Sequence, residues 1–227
     1  MARRFARKTV AGIPFYIALL LGPMVVGSVY AREEVIVLGK DKTQTLAEWD
    51  KPVHFGTGNW KVVDDAKNQA IRLRTESSSF ALEKSITVDL SQTPYLEWEW
   101  MVTVPPTGGD FSSPDTDDQA AQLLVVFSKT FYERRKVISY IWDPTAPQER
   151  IGAAAGPIYL NVQAIVVESG ASQIGHWITE RRNVVEDFRA IFGEIPERAV
   201  AIRMQINSQH TKSVAEAFWR TIRFTAE

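Results

Sequence analysis

After residue 45 the chain is dominated by period-two alternation of apolar and polar side chains. In YLEWEWMVTV, Leu96, Trp98, Trp100, Val102 and Val104 fall on one face, with Glu97, Glu99 and Thr103 on the other. Successive side chains of a strand point to opposite sides, so this spacing predicts a half-buried strand. AIRLRT sets Ile71 and Leu73 against Arg72 and Arg74, and AVAIRMQIN sets Val200, Ile202, Met204 and Ile206 against Arg203, Gln205 and Asn207. AQLLVVFS, VISYIW, LNVQAIVV and FWRTIRF add strands, some apolar on both sides and so expected at the centre of a sheet. QTP, PPTGG, DPTAP and ESGAS separate them as turns. One stretch changes period. NVVEDFRAIFGEIP carries Val184, Val185, Phe188, Ile191 and Phe192 at helical spacing. Asn183 as N-cap, Glu186 three residues on, Gly193 as a stop and Pro196 beyond it predict a short amphipathic helix near 184–193. With no helix between successive strands, the expected fold is all-β, an antiparallel β-sandwich or jelly roll.

The N-terminus follows a different pattern. MARRFARK precedes 23 uncharged residues, 9 to 31, closing on Val29-Tyr30-Ala31. A basic start, an apolar centre and a small residue at the end fit a secretory signal cleaved after Ala31. The apolar run is also long enough for a transmembrane signal anchor, in which Pro14 and Pro23 would introduce kinks. Both readings stand. In either, the arginines hold the N-terminus in the cytoplasm and everything after residue 31 is exported, to a periplasmic or other extracytoplasmic location. The expected organisation is a signal or anchor over 1–31, a linker over 32–45 with EVIVLG as a candidate first strand, and the sandwich over 46–227.

Charge and composition narrow the function. The net charge is −1, but Arg3, Arg4, Arg7 and Lys8 are the only charges before Arg32. Setting those four aside leaves 22 basic and 27 acidic residues, a net −5. A mildly acidic surface argues against nucleic acid as a partner, since that affinity rests on Lys and Arg neutralising phosphates. The absence of cysteine excludes disulfides, zinc thiolates and thiol nucleophiles. His54, His176 and His210 show no ligand spacing, and no nucleophile elbow, Walker loop or H-E-x-x-H occurs. No cofactor is expected, and the chain is not expected to be an enzyme.

Three constellations carry candidate chemistry. GGDFSSPDTDDQ gathers Asp110, Asp115, Asp117 and Asp118 before an apolar strand. The spacing matches no EF-hand loop, and aspartates suit turns, so no metal is expected; Asp115, Asp117 and Asp118 are the residues a calcium ion would use. Glu97 and Glu99 project from one strand face about 6.5 Å apart. They fit either glycoside hydrolysis or ordinary alternating charge on a wet face. Of the seven tryptophans, Trp98 and Trp100 belong to the apolar face. Trp60, Trp142 and Trp177 fall near strand ends, where a ring either packs or, if exposed, stacks on a sugar or partner, with Arg181 and Arg182 nearby in sequence.

The succession SSSFALEKSITVDLSQTPYLEWEWMV, DDQAAQLLVVF, ISYIWD, VVESGASQIGHWITERRNVVEDFRAIFGEIP and FWRTIRF resembles a bacterial exported family, domain of unknown function 3047, over residues 46 to 227. The part from Gly175 to Pro196 is the most specific. Against the family pattern, Gln122 stands in place of an arginine. Asn207, Gln209 and Thr211 stand where the family is acidic, and Arg220 and Thr221 replace a Gly-Asp pair. The resemblance implies fold and compartment and imports no activity. Three readings follow. The leading one is a non-catalytic, membrane-tethered accessory subunit of a larger membrane assembly, held by residues 9–31. The second is a periplasmic carbohydrate- or ligand-binding module using Trp142 or Trp177 beside Glu97 and Glu99. The third is a carbohydrate-active enzyme using those two carboxylates.

Overall fold

The computed structural model describes residues 33–39, 46–65, 68–128, 134–154 and 158–226. The signal or anchor expected over 1–31 lies outside the described residues, among which no helix is long and apolar enough to cross a membrane.

Two sheets face each other. The first runs β11 (Ile178–Asn183), β6 (Tyr95–Val104), β13 (Val214–Thr225), β4 (Asn68–Glu76), β3 (Asn59–Asp65), with β1 (Glu34–Leu38) also on β13. The second runs β2 (Val53–Phe55), β5 (Ser79–Asp89), β12 (Arg198–Asn207), β7 (Ala121–Phe127), β8 (Arg135–Asp143), β10 (Leu160–Ser169), β9 (Ile151–Ala153). The long β13 pairs with β6 on one side. On the other it pairs with β4 through Trp219 and with β1 from Ile222, and its register shifts between those two residues.

The alternation predicted for β6 is borne out, with Leu96, Trp98, Trp100 and Val102 buried between the sheets. The core is aromatic. Trp98 meets Trp100 edge-on at 5.4 Å and Tyr140 at 5.2 Å, and Trp100 lies 6.1 Å from Trp142. Such offset pairs each add about 1 kcal/mol beyond the area they bury. The predicted helix forms as α1 (Val184–Phe192). Asn183 Oδ1 accepts from the backbone N–H of Val185 and of Glu186, and Gly193 ends the helix at φ 75°. Phe188 buries its ring 4.5 Å from Phe127, docking the helix onto the core.

Three expectations need correction. The sheets are not purely antiparallel, because β8 and β10 pair in parallel. A parallel pair needs a long crossover; residues 144–159 supply it and lay β9 antiparallel along β10 on the way. The candidate strand EVIVLG forms as β1, with Val37 and Leu38 buried in the core, so the sandwich starts inside the expected 32–45 linker and before residue 46. Finally β2, β3, β5, β9 and β11 go beyond the predicted strands. ITERRN in β11 is too polar to signal a strand and becomes one by pairing with β6.

Candidate functional site

The outer face of the seven-stranded sheet carries a groove of about 330 Å³. Cross-strand register builds its floor. One row runs Glu83, Arg203, Leu124, Ser139, Ala164, Gly152 from β5 to β9. The next runs Ala81, Gln205, Gln122, Ile141, Val166. Ser139, Ala164 and Gly152 are small, so the floor is low over β8, β10 and β9. Phe111 closes over Gly152, where a Cβ would stand 3.2 Å from Phe111 Cε2. Tyr159, exposed, stands on the lining. The groove is therefore two-sided in chemistry. Leu124, Ile141, Leu160 and Val162 make one part apolar, while Gln122, Arg203, Gln205 and Asn207 make the other polar.

Much of the polar part is fixed by hydrogen bonds. Asn207 Oδ1 accepts from Gln122 Nε2 at 2.7 Å and from the Gln119 backbone N–H at 2.7 Å. Asn207 Nδ2 donates to the Asp117 carbonyl at 2.6 Å, and Gln119 Nε2 donates to Asp117 Oδ1 at 2.9 Å. Arg203 Nε donates to Glu83 Oε2 at 2.6 Å. Ser139 stands apart from these bonds. Its side chain is 1% exposed in the groove floor, and its Oγ finds no hydrogen-bond partner. A buried hydroxyl without a partner is a cost in the folded protein and is rare unless something else satisfies it.

The aspartate loop is structural in its details. Asp110 Oδ1 accepts from the Ser112 backbone N–H at 2.8 Å, an Asx-type turn, and that bond holds its carboxyl below the usual range. Asp115 is exposed. Asp118, fully buried, accepts from the Thr211 backbone N–H at 2.7 Å and its hydroxyl at 2.8 Å, stapling this loop to the turn between β12 and β13. His210 Nδ1 lies 3.0 Å from the Asp117 carbonyl and 3.4 Å from Asp118 Oδ1, at one end of the groove. Among the described residues no group of three His, Cys, Asp or Glu is placed to hold a metal ion.

The other sequence candidates lie away from the groove. Trp142 does not present the exposed ring considered for it: it is 1% exposed and donates from Nε1 to the Gly170 carbonyl at 3.1 Å. The strand end is covered because Asp143 draws the aspartate loop over it, accepting from the Phe111, Thr145 and Ala146 backbone N–H groups. Trp177 is half-buried under the Arg220 guanidinium, 3.7 Å from its ring. Glu97 and Glu99 line a depression of about 310 Å³ on the opposite sheet with Thr179, Thr221 and Arg223. Glu97 accepts from Arg181 Nε at 3.0 Å and from Arg223 Nε at 2.8 Å, so both its oxygens are engaged. Arg181 also stacks 3.7 Å above Tyr95. Arg182 grips Asp187 with two nitrogens at 3.0 and 2.8 Å and Glu149 with a third at 2.8 Å, bracing α1. The Asp187 hydrogen bonds raise its pKa further.

Sequence reasoning missed Ser139 and Gln205 as site residues. The available signal was polarity where a strand is otherwise apolar on both sides: Ser139 inside VISYIW and Gln122 inside AQLLVVF. Gln122, Asn207 and Gln209, which depart from the family pattern, converge on this one groove.

A family profile described as a protein of unknown function, DUF3047, matches residues 47–223. The chain belongs to the DUF3047 family. No curated protein matches this DUF3047 chain in sequence. Among solved structures it is similar to the family 30 carbohydrate-binding module of a cellulosomal cellulase, Cel9D-Cel44B, of Clostridium thermocellum. That match has 12% identity and a TM-score of 0.51, covering 86% of this chain and 98% of that one. The family 11 module of the cellulase Lic26A-Cel5E of the same organism gives 9% identity and a TM-score of 0.48, covering 86% and 95%. The endoglucanase cel12A of Rhodothermus marinus gives 10% and 0.46, covering 85% and 99%. At these identities the likeness is one of fold: this DUF3047 member is a β-sandwich.

Proposed function

We propose that this DUF3047 protein is an exported glycan-binding module whose ligand lies in the groove on the seven-stranded sheet. The observation that carries the reading is Ser139, a buried hydroxyl with no partner, set in a floor that is apolar on one side and amide-rich on the other. A sugar ring has the complementary form, with C–H groups on its faces and hydroxyls around its edge. The apolar row would receive a ring face, while Ser139, Gln205 and Gln122 would meet edge hydroxyls. The sandwich fold shared with a carbohydrate-binding module is compatible with this reading. Export is supported by the basic start and uncharged run of residues 1–31. The tethered-subunit reading draws on that segment, on the missing catalytic motifs and on the altered acidic positions, and the groove favours the glycan reading over it.

The test separates binding from folding. Ser139→Ala removes a hydroxyl that no protein group uses, so its melting temperature is expected to be unchanged or slightly raised. Affinity for a glycan found on an array of the unsubstituted protein is expected to fall about five- to tenfold, one lost hydrogen bond. Unchanged affinity, or no glycan bound at all, refutes the proposal.

A further inference from the structure

The groove's electrostatics go beyond the reading above, on which the following rests, and select among glycans. We propose that the groove takes neutral, hydroxyl-rich oligosaccharides and rejects acidic ones. Three features of the polar wall lead there.

The first is that the cation of the wall is neutralised. Arg203 lines the groove, but its guanidinium is engaged by Glu83, its cross-strand neighbour, through both Nε and a terminal nitrogen. Both contacts go to Glu83 Oε2, so the pair presents no net charge to an acidic ligand, while Arg203 Nη1 keeps its N–H donors. The second is that the remaining polar groups of the wall are amides, three of which are fixed in place by internal bonds. Those of Gln119, Gln122 and Asn207 donate to Asp117 Oδ1, Asn207 Oδ1 and the Asp117 carbonyl. The bond from Gln122 Nε2 orients its amide and leaves Oε1 and the second N–H able to bond a ligand. What the wall offers a ligand is thus uncharged amide and hydroxyl groups that can both give and take a hydrogen bond, which match the hydroxyls of a neutral sugar.

The third feature is negative charge at one end. The Asp117 side chain contributes to the lining, and the fully buried Asp118 lies beside it with Oδ1 outside any hydrogen bond. The nearest basic group to that oxygen is His210 Nδ1 at 3.4 Å. An anionic sugar there would meet like charge, and the basic groups among the described lining residues are Arg203, paired to Glu83, and His210, an arrangement that discriminates by repulsion. Glu83 acts on selectivity through Arg203 and is in this sense a positioning residue.

The experiment is calorimetric titration of the full-length protein with matched hexasaccharides: neutral β-glucan, mannan and xylan oligomers against oligogalacturonate and oligoguluronate. At least one neutral oligomer is expected to bind at least tenfold more tightly than either acid. Its affinity should change less than twofold between 20 and 500 mM NaCl, because no net charge is paired. Glu83→Gln, which releases Arg203, is expected to raise affinity for the acidic oligomers at least fivefold, most at low salt. Equal or tighter binding of an acidic oligomer by the unsubstituted protein overturns the selectivity while leaving the glycan reading intact. So does a salt-sensitive neutral affinity. Silence of every oligomer, neutral and acidic, overturns both. Should Glu83→Gln fail to fold, the unsubstituted comparison and its salt series decide alone.

Discussion

Glu180 offers a quantitative test of the sandwich. It stands on β11 opposite Trp98, with Glu168 of β10, the Trp100 indole, Arg182 and Glu149 around its carboxyl. Glu180 Oε1 and Trp100 Nε1 are both buried without a hydrogen bond. Burial, with the Glu168 charge adding to it, pushes the Glu180 carboxyl from 4.5 up to about 7. The nearby Arg182 does not reverse this, being committed to Asp187 and Glu149. Below pH 4.5 both folded and unfolded chains hold the proton, and stability is fully present. Between 4.5 and about 7 the unfolded chain has released the proton while the folded one keeps it, so stability falls as pH rises. Above about 7 the loss is complete. That gap, at about 1.4 kcal/mol per pH unit, is about 3 kcal/mol. Partial solvent access lowers it to roughly 1–3 kcal/mol.

Glu180→Gln keeps the shape and cannot ionise. Urea unfolding followed by tryptophan fluorescence at pH 4.5, 6 and 8 is expected to show the variant nearly equal to the parent at the lowest pH. At pH 8 it should be more stable by ~1–3 kcal/mol. Glu168, also raised by burial, interacts with Glu180, so the difference between the two proteins reads the carboxyl pair. A difference that stays constant across the three pH values would refute the reasoning.

Two further predictions concern the loop that covers the strand ends. Asp118→Ala deletes the acceptor for two Thr211 bonds and is expected to cost about 2–3 kcal/mol in chemical unfolding. It should also speed amide exchange at Thr211, and protection at the parent level would show that the staple carries no load. Gly109→Ala would place a Cβ 2.2 Å from the Asp118 carbonyl oxygen and 3.1 Å from Pro106 Cγ, so a loss of about 2 kcal/mol or more is expected. A melt unchanged from the parent would mean that this loop packs less closely than described.

Local periodicity by itself determined most of the elements. Alternation over Leu96 to Val102 announced both a strand and its buried face, because side-chain direction in a strand depends only on position parity. The helix was equally legible, since Asn183, the apolar stripe and Gly193 act within one short segment. What the tertiary structure decided was pairing. The parallel contact of β8 with β10 and the strand status of ITERRN depend on partners far along the chain, which no window of sequence contains. The site belongs to the same class. Ser139, Gln122, Gln205 and Asn207 are separated in sequence and meet only through the register of β12, β7 and β8. Trp142 stayed open between packing and exposure for the complementary reason: whether a strand end is covered depends on a distant loop, here drawn in by Asp143.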